Sequence, residues 1–354
     1  ADQGLNFVMT PARVLYLIQY QGPQWFEPLT YFGNNTLRDV YNYEPVQADW
    51  KPEYEKLLLG VQASMWTEFC YNADDVMYML FPRLAALAEV AWSQKEKKNW
   101  TDFQQGLDNY LAHLNKKDVP YASSMYNIQH TVVPEKGKLC VKLDCERTDV
   151  EIRYTLDGRV PDMYSSVYTM PLKLDAGTVV KCASFVKDMR KGEILTLPLL
   201  NNKATGKHVL SKAPMAYLLT NGMRGSLRQS DFEWCTWDNL SSASFTVDLQ
   251  QTESVQQVLL GCLTNYGMAV HKPKRVIVEV SKDNRTFVQV GQKEFSEAEI
   301  FRDGNYVEDV EFTFKARKVR YVRVTAEGFG SCPESHYMRP GQPARYYFDE
   351  LQIR

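Results

Sequence analysis

The stretch GVQASMWTEF, from Gly60 to Phe69, decides the fold of the N-terminal part of this chain. An apolar run that starts at Leu58 ends at Trp66 and Glu68, which indicates a β-strand with aromatic and acidic residues at its carboxyl end. The following stretch FPRLAALAEVAW, residues 81–92, has the apolar spacing of an amphipathic helix. A strand followed by a helix is the repeating unit of a (β/α) barrel, in which functional side chains lie at the carboxyl ends of the strands. There a Trp can offer a flat face to a sugar ring, and a Glu can accept hydrogen bonds from hydroxyl groups.

Composition limits the function classes that this chain can belong to. Its 354 residues are enough for two or three domains. Because the net charge is −2 and the charges are interspersed, no basic surface for nucleic acid is predicted. No apolar run of about 18 residues occurs, so no membrane span is predicted.

The seven cysteines lie between Cys70 and Cys332 and show no CxxC or Cys/His metal spacing, so buried structural thiols are predicted. Their odd number means that at least one is free or pairs with another chain. The sequence also has four N-x-S/T sequons, which begin at Asn34, Asn99, Asn239 and Asn284.

Region one, residues 1–118, is predicted to be α/β. Apolar runs predict strands at residues 7–9, 14–17 and 58–65. One long helix is predicted, capped by Asn72 and carrying an apolar face to Ala91. A second helix is predicted at 101–114, with Thr101 as its cap.

Regions two and three are predicted to be all-β. In region two, residues 119–203, alternation at Leu139, Val141 and Leu143 and again at Ile152 and Tyr154 predicts a small β-sandwich. Region three, residues 204–354, is a larger all-β unit. Its clearest predicted strands are residues 245–249, 276–280, 312–314, 319–324 and 348–353.

Several sequence words in region one occur in the order typical of one enzyme family. The words are Tyr16-Leu17, Glu27-Pro28-Leu29, residues 40–45 (VYNYEP), residues 60–63 (GVQA), Trp66-Thr67-Glu68, and residues 81–84 (FPRL) with Ala88-Glu89. Together they resemble the C-terminal quarter of the (β/α)8 TIM barrel of the β-N-acetylhexosaminidases, glycoside hydrolase family 20. The order of the words, more than any one of them, makes the resemblance specific.

The resemblance implies a retaining exo-enzyme that releases terminal GlcNAc or GalNAc from glycans by substrate-assisted catalysis without a cofactor. In this family the substrate's 2-acetamido group attacks the anomeric carbon, while an Asp-Glu pair orients that group and supplies the general acid. By position, Tyr16 matches the Tyr that holds the acetamido oxygen. Trp66 matches the Trp of the pocket floor, and Glu68 matches the Glu that binds hydroxyl groups. Ile18 departs from the family pattern, since the family has a sugar-binding Asp at that position.

The resemblance also predicts that the Asp-Glu pair lies upstream of these residues or on another chain, together with the rest of the barrel. Two βα units cannot close an eight-stranded barrel, so we expect apolar faces of region one to meet water. We further expect residues 1–354 alone to be inactive and the whole enzyme to be extracytoplasmic.

Region two resembles the small immunoglobulin-like sandwich that follows this barrel in bacterial hexosaminidases, on the word IRYTLDG at residues 152–158. Region three resembles the discoidin-like, galactose-binding-like jelly roll, on residues 220–222 (TNG), 276–281 (VIVEVS) and 319–324 (VRYVRV). This fold implies glycan-binding loops, which would contain Tyr266, His271, His336, Arg339 and Tyr346. It also implies a structural Ca²⁺ at Asn221 and Glu350, whose oxygen atoms suit a hard cation.

Two alternatives remain open at the level of the sequence. The chain could be a non-catalytic glycan-binding fragment that acts through region three, or a structural adhesion fragment. Within region one, Tyr16 could be an ordinary strand aromatic, Trp66 a core residue and Glu68 a surface charge. Arg83 and Glu89 are predicted to form a structural ion pair.

Overall fold

The structure is a computed structural model that describes residues 1–213, 215–238 and 242–354; the sequon at Asn239 lies outside these residues. The α-helices are α1 (Ala12–Leu15), α2 (Leu37–Asn42), α3 (Pro52–Glu55), α4 (Ala73–Leu80), α5 (Arg83–Trp92), α6 (Trp100–Lys116) and α7 (Glu297–Ile300). No described helix is both long and apolar enough to cross a membrane.

Region one contains four short strands, which are β1 (Phe7–Met9), β2 (Gln19–Tyr20), β3 (Tyr31–Asn34) and β4 (Leu58–Val61). β1 pairs with β4, and β2 pairs with β3, both in parallel. Parallel pairs joined by helices are the arrangement that the α/β prediction requires. Val8, Phe32 and Leu59 are 43%, 56% and 68% exposed, so apolar side chains of these strands meet water as expected.

Two details of region one differ from the sequence prediction. Residues 14–17 are not a strand, because α1 forms one turn over Ala12–Leu15 and only Tyr16 keeps a strand-like bridge, to Ser64. The predicted long helix is two helices. Asn72 caps α4 as expected, but α4 ends at Leu80, because Pro82 lacks the N–H that would continue the helix.

The cap of α6 also differs from the prediction. The side chain of Asn99, not that of Thr101, accepts hydrogen bonds from the first free N–H groups of α6, those of Thr101 and Asp102. The apolar face of α6 packs beside α5 in a core that also contains Leu15, Leu17 and Tyr126.

Region two consists of two small antiparallel sheets around one core. Its strands are β5 (Ile128–Glu135), β6 (Lys138–Cys145), β7 (Glu151–Thr155), β8 (Ser166–Val167), β9 (Leu172–Leu174), β10 (Val179–Val186), β11 (Met189–Arg190) and β12 (Leu195–Pro198). One sheet contains β5, β6 and β9, and the other contains β7, β8, β10, β11 and β12. Leu139, Val141 and Leu143 are buried between the sheets, which confirms the predicted alternation.

Region three contains β13 (His208–Leu210), β14 (Cys235–Asp238), β15 (Ser242–Asn265), β16 (Arg275–Ser281), β17 (Val288–Glu294), β18 (Asn305–Glu327) and β19 (Arg345–Ile353), and every predicted strand lies inside one of them. The first half of β15 pairs with β13 and the last third of β18, and its second half pairs with β19 and the first part of β18. Register shifts between Asp248 and Gln257 interrupt β15, and such bulges let one strand bend from one layer to the next. The bent strands enclose the main core of the region. The boundaries of the three regions stay predictions.

Candidate functional site

The bridge between Tyr16 and Ser64 positions the predicted site. The Leu17 N–H donates to the Ser64 carbonyl at 2.8 Å, and the Ser64 N–H donates to the Leu15 carbonyl at 2.8 Å. This pairing places Tyr16 beside the segment that runs on to Trp66 and Glu68. Burial, and after it the negative charge of Glu68, raises the pKa of the Tyr16 phenol above its usual value. Tyr16 therefore stays a protonated hydrogen-bond donor at neutral pH.

Trp66 and Glu68 lie at the surface. The Trp66 side chain is 60% exposed, so it does not belong to the core of the described residues. Glu68 is exposed too, and it follows Ser64, the bridge partner of Tyr16, by four residues. The ring of Tyr31 meets that of Tyr16 edge to face at 5.7 Å and adds an aromatic wall that the sequence did not single out.

Ile18 is completely buried. Its backbone carbonyl accepts a hydrogen bond from the Thr30 hydroxyl, and its side chain packs in the interior. Ile18 therefore does not replace the family Asp at the surface. Gln19 comes next in the chain and is half-buried, with its amide against Gly33.

A buried polar cluster lies behind this surface. The Tyr78 hydroxyl donates to Glu27 Oε2 at 3.0 Å, and burial raises the pKa of the Glu27 carboxyl. Glu27 Oε1 is buried and has no hydrogen-bond partner among the described residues. The motif that contains Glu27 was identified from the sequence. The hydrogen bond of Glu27 with Tyr78, 51 residues away, could not be predicted from that motif.

Arg83 is structural, but the predicted ion pair with Glu89 is wrong. The guanidinium is fully buried and donates to the carbonyls of Leu17, Gln19, Asn35 and Met79 at 2.6–3.2 Å. Glu89 instead accepts a hydrogen bond from the Ser93 hydroxyl at 2.7 Å. Arg83 therefore ties α4 and α5 to the ends of the strands below the site.

The five residues proposed as glycan contacts in region three differ in exposure. Tyr266, His271, His336 and Tyr346 are buried, with 8%, 1%, 1% and 1% of their surface exposed, whereas Arg339 is exposed. Tyr266, His271, His336 and Arg339 lie between strands as predicted, but the loop prediction is wrong for Tyr346, which lies in β19. The rings of Tyr266, His271 and His336 pack inward on one another, and that of Tyr346 meets Phe329, so their placement does not support direct contact with a glycan. Contact by Arg339 stays a prediction.

Tyr337 is an exposed aromatic residue that the sequence analysis missed. Its side chain is 66% exposed, and its ring stacks on that of Tyr266 at 5.0 Å. Its hydroxyl donates to Asp303 Oδ1 at 3.2 Å, which fixes the ring in the loop. Its position directly after the predicted His336 was the available signal.

All seven cysteines are free, and six of them are buried, as predicted. No Cys/His metal spacing was recognised in the sequence, but the fold brings one cysteine, Cys332, close to two His side chains. His271, Cys332 and His336 each offer one potential ligand atom, and these atoms lie within 4.8 Å of one another. The Cys332-x3-His336 spacing was the signal in the sequence.

Asn221 and Glu350 are both buried, but as arranged they do not fit a calcium ion. The Glu350 carboxylate already accepts hydrogen bonds from Asn202 Nδ2, the Thr205 hydroxyl and the Gly222 N–H at 2.8–3.0 Å. The Asn221 amide donates to Glu233 Oε2 at 2.7 Å, and its oxygen accepts from the Met223 N–H. These side-chain oxygens therefore serve the fold, and we derive no role that involves calcium.

Comparison with known families assigns a domain type to each of three segments. Residues 1–95 match the glycosyl hydrolase family 20 catalytic domain. Residues 135–196 match the chitobiase/beta-hexosaminidase C-terminal domain, and residues 210–337 match the F5/8 type C domain.

Curated relatives agree with these matches. A beta-hexosaminidase of Porphyromonas gingivalis is 31% identical over 187 residues, which are 49% of this chain and 23% of that protein. A beta-N-acetylhexosaminidase of Cellulomonas fimi is 35% identical over 105 residues, which are 29% of this chain and 21% of that protein. The crystal structure of a GH20 exo beta-N-acetylglucosaminidase from Vibrio harveyi with N-acetylglucosamine is 34% identical and covers 34% of this chain and 19% of that chain, with a TM-score of 0.30.

The matched part of this chain thus spans only about a quarter of the length of the relatives. The residues that match this family include Tyr16, Trp66 and Glu68, and Tyr16 pairs with Ser64, two residues before Trp66. Residues 1–95 are therefore similar to part of the glycosyl hydrolase family 20 catalytic domain, and the segments after them are similar to the chitobiase/beta-hexosaminidase C-terminal and F5/8 type C domains.

Proposed function

We propose that this chain is part of a retaining exo-β-N-acetylhexosaminidase that releases terminal GlcNAc or GalNAc from glycans. The observation that carries the proposal is the pairing of Tyr16 with Ser64, just before the exposed Trp66 and Glu68, within a segment that matches the family 20 catalytic domain. A neutral donor, a flat ring and a carboxylate are the groups that an N-acetylated sugar requires.

In the proposed mechanism the acetamido oxygen of the substrate attacks the anomeric carbon, and the Tyr16 hydroxyl donates a hydrogen bond to that oxygen. The raised pKa of Tyr16 suits this role, because a phenolate could not donate. The hydrogen bond aligns the acetamido group for attack, which lowers the entropic part of the barrier. Attack by the substrate's own group followed by attack of water gives net retention.

Trp66 and Glu68 are proposed to bind the non-reducing sugar. The exposed indole of Trp66 offers an apolar face to the ring, and the exposed carboxylate of Glu68 accepts hydrogen bonds from outer hydroxyl groups. The Asp-Glu pair would come from a portion of a (β/α)8 barrel outside residues 1–354. The same proposal includes an immunoglobulin-like arrangement for region two and an extracytoplasmic location.

The test is an assay of two proteins with an aryl β-N-acetylglucosaminide. A protein that includes the rest of the barrel should release the sugar with retention of the anomeric configuration, as followed by proton NMR. Residues 1–354 alone should show no turnover. Inversion, or no turnover by the longer protein, would contradict the proposal.

A second candidate function is glycan binding by region three without chemistry. The observation that favours it is the exposed ring of Tyr337, held flat on Tyr266, in the same loop as the exposed Arg339. This arrangement offers a stacking surface next to a hydrogen-bond donor. The two functions are compatible, because the two surfaces lie in different regions of the chain.

A further inference from the structure

A cluster of soft and borderline metal ligands lies in the interior of region three. His271 precedes β16, and Cys332 and His336 lie in the loop between β18 and β19. All three side chains are at least 97% buried. The loop is held by an antiparallel bridge between Ser331 and Pro343 and by a hydrogen bond from the Cys332 N–H to the Gln342 carbonyl at 2.9 Å. The cluster is therefore built into the fold.

The geometry of His271 and Cys332 matches that of two ligands on one metal ion. His271 Nδ1 lies 3.1 Å from the Ile300 carbonyl, so it carries the proton of the ring and leaves the Nε2 lone pair free. In metal sites the His nitrogen that does not bind the metal commonly donates its N–H to a backbone carbonyl, a carboxylate or water. Nε2 lies 3.6 Å from Cys332 Sγ. Metal bonds of about 2.0 Å to nitrogen and about 2.3 Å to sulfur place two such atoms about 3.5–3.7 Å apart.

His336 provides independent evidence of a missing partner. Its Nδ1 accepts a hydrogen bond from the Arg339 N–H at 3.0 Å, while its Nε2 is buried and has no partner among the described residues. A buried polar atom without a partner is unfavourable, and a ligand would remove that cost. Because Nδ1 accepts this hydrogen bond, the ring carries its proton on Nε2 in the metal-free chain; binding of a metal ion at Nε2 therefore requires the proton to move to Nδ1 and the hydrogen bond from the Arg339 N–H to break.

We propose that His271 Nε2, Cys332 Sγ and His336 Nε2 bind one Cu(I) ion. Thiolate and imidazole are ligands that this soft ion prefers, and three of them suffice for it. One thiolate and one monovalent ion sum to zero charge, which suits the aromatic surroundings. The rings of Phe301 and Phe329 lie 5.2 and 5.7 Å from that of His271, and the ring of Tyr266 stacks on that of His336 at 3.9 Å. A divalent ion would leave one net positive charge in this apolar shell.

Binding replaces the thiol proton of Cys332 by the metal, so one proton is released for each ion and no electron is transferred. The site is separate from the proposed hexosaminidase site, since all of its ligands lie in region three. The inference therefore does not depend on the proposed function.

The test is anaerobic titration of the full 354-residue chain with Cu(I) against a chromophoric Cu(I) chelator. We expect one equivalent to bind, with release of one proton in weak buffer. X-ray absorption at the copper edge should show one sulfur and two nitrogen ligands. The substitution Cys332→Ser should lower the affinity by more than the roughly 10- to 100-fold that the loss of an outer-shell partner costs.

The matched control is Cys70→Ser, which removes a half-buried thiol outside the cluster and should leave the affinity unchanged. Circular dichroism of both variants verifies their fold. The X-ray absorption spectrum of the unmodified chain with bound copper tests which atoms bind the metal, even if Cys332→Ser fails to fold. Absence of Cu(I) binding, retention of full affinity by a folded Cys332→Ser variant, or several sulfur ligands would overturn the proposal. Displacement of bound Cu(I) by equimolar Zn(II) would overturn the choice of metal.

Discussion

Nε2 of His130 lies 2.9 Å from Oε1 of Glu233, and this contact joins β5 of region two to a loop of region three. Both side chains are more than nine-tenths buried. The other oxygen of Glu233 accepts from Asn221, and the ring of His130 lies 5.0 Å from that of Trp25 in region one. All three regions therefore meet at this pair.

Glu233→Ala should destabilise the chain. It leaves His130 and the Asn221 amide buried without their acceptor, which costs about 1–3 kcal/mol for a buried polar group. Chemical denaturation of the full chain measures the loss. The matched control is Asp175→Ala, which breaks the exposed pair with Lys138 and should change the free energy of unfolding little. Equal losses for the two variants would show that the junction is not stabilised by this pair.

The free energy of unfolding should fall as the pH rises from about 4.5 to about 8, because of Glu350. Burial raises the pKa of this carboxyl from 4.5 to about 8 in the folded chain. Between these values the folded state holds a proton that the unfolded state has released, so stability is highest at the acidic end of this window. The slope is at most about 1.4 kcal/mol per pH unit for one group.

Denaturation curves of Glu350→Gln measure this contribution. The variant cannot ionise at this position, so its stability should depend less on pH over the same range, whatever its absolute value. An unchanged pH dependence would mean that the carboxyl ionises in the folded chain as it does in the unfolded one.

The strands of region three were predicted from the sequence better than the ends of the helices in region one. The strands of region three were found because alternating apolar residues directly reflect burial on one face, as at Val276, Val278 and Val280. The break between α4 and α5 was missed because the apolar spacing continues across Pro82, although proline alone is enough to end a helix.

The residues of the candidate site were predicted from short sequence motifs, but their arrangement in space was not. Tyr16, Trp66 and Glu68 could be named from their motifs, but the pairing of Tyr16 with Ser64, which precedes Trp66 and Glu68, could not. His271 and Cys332 are 61 residues apart, and only the fold brings them together. Burial of His271 and His336 could not be predicted either, because loops that carry polar residues usually lie at the surface.

Tyr16→Phe should lower kcat by about 100-fold in an enzyme that contains the whole barrel, the typical cost of one lost donor to a reacting oxygen. The hydrogen bond strengthens as the acetamido oxygen becomes the nucleophile, so KM should rise much less than kcat falls. Steady-state kinetics with an aryl N-acetylglucosaminide separates the two constants. A rise in KM with unchanged kcat would make Tyr16 a binding residue only. Tyr31→Phe is a suitable control, because it keeps the ring that packs on Tyr16.

Trp66→Ala should raise KM in the same enzyme by about tenfold, since a stacked aromatic contact contributes about 0.5–1.5 kcal/mol. Because the side chain is 60% exposed within residues 1–354, its loss should change the melting temperature of this chain little. Trp92, on α5, is 89% exposed and is the matched control. Trp92→Ala should leave KM unchanged. Equal effects of the two substitutions, or a large loss of stability in Trp66→Ala alone, would contradict the proposed stacking role.

Tyr337→Ala should weaken the binding of N-acetylglucosamine oligosaccharides to residues 1–354 by about 3- to 10-fold, the value of one stacked ring. Calorimetry of the 354-residue chain isolates this surface, because the proposed hexosaminidase site is incomplete there and binds sugar weakly at most. Tyr164 is 85% exposed in region two and serves as the control, with no effect expected from Tyr164→Ala. Tyr337 is no ligand of the His271–Cys332–His336 cluster, so its loss should leave Cu(I) binding intact. Binding that resists Tyr337→Ala but is lost on Trp66→Ala would assign the glycan to region one and remove the support for region three as a binding module.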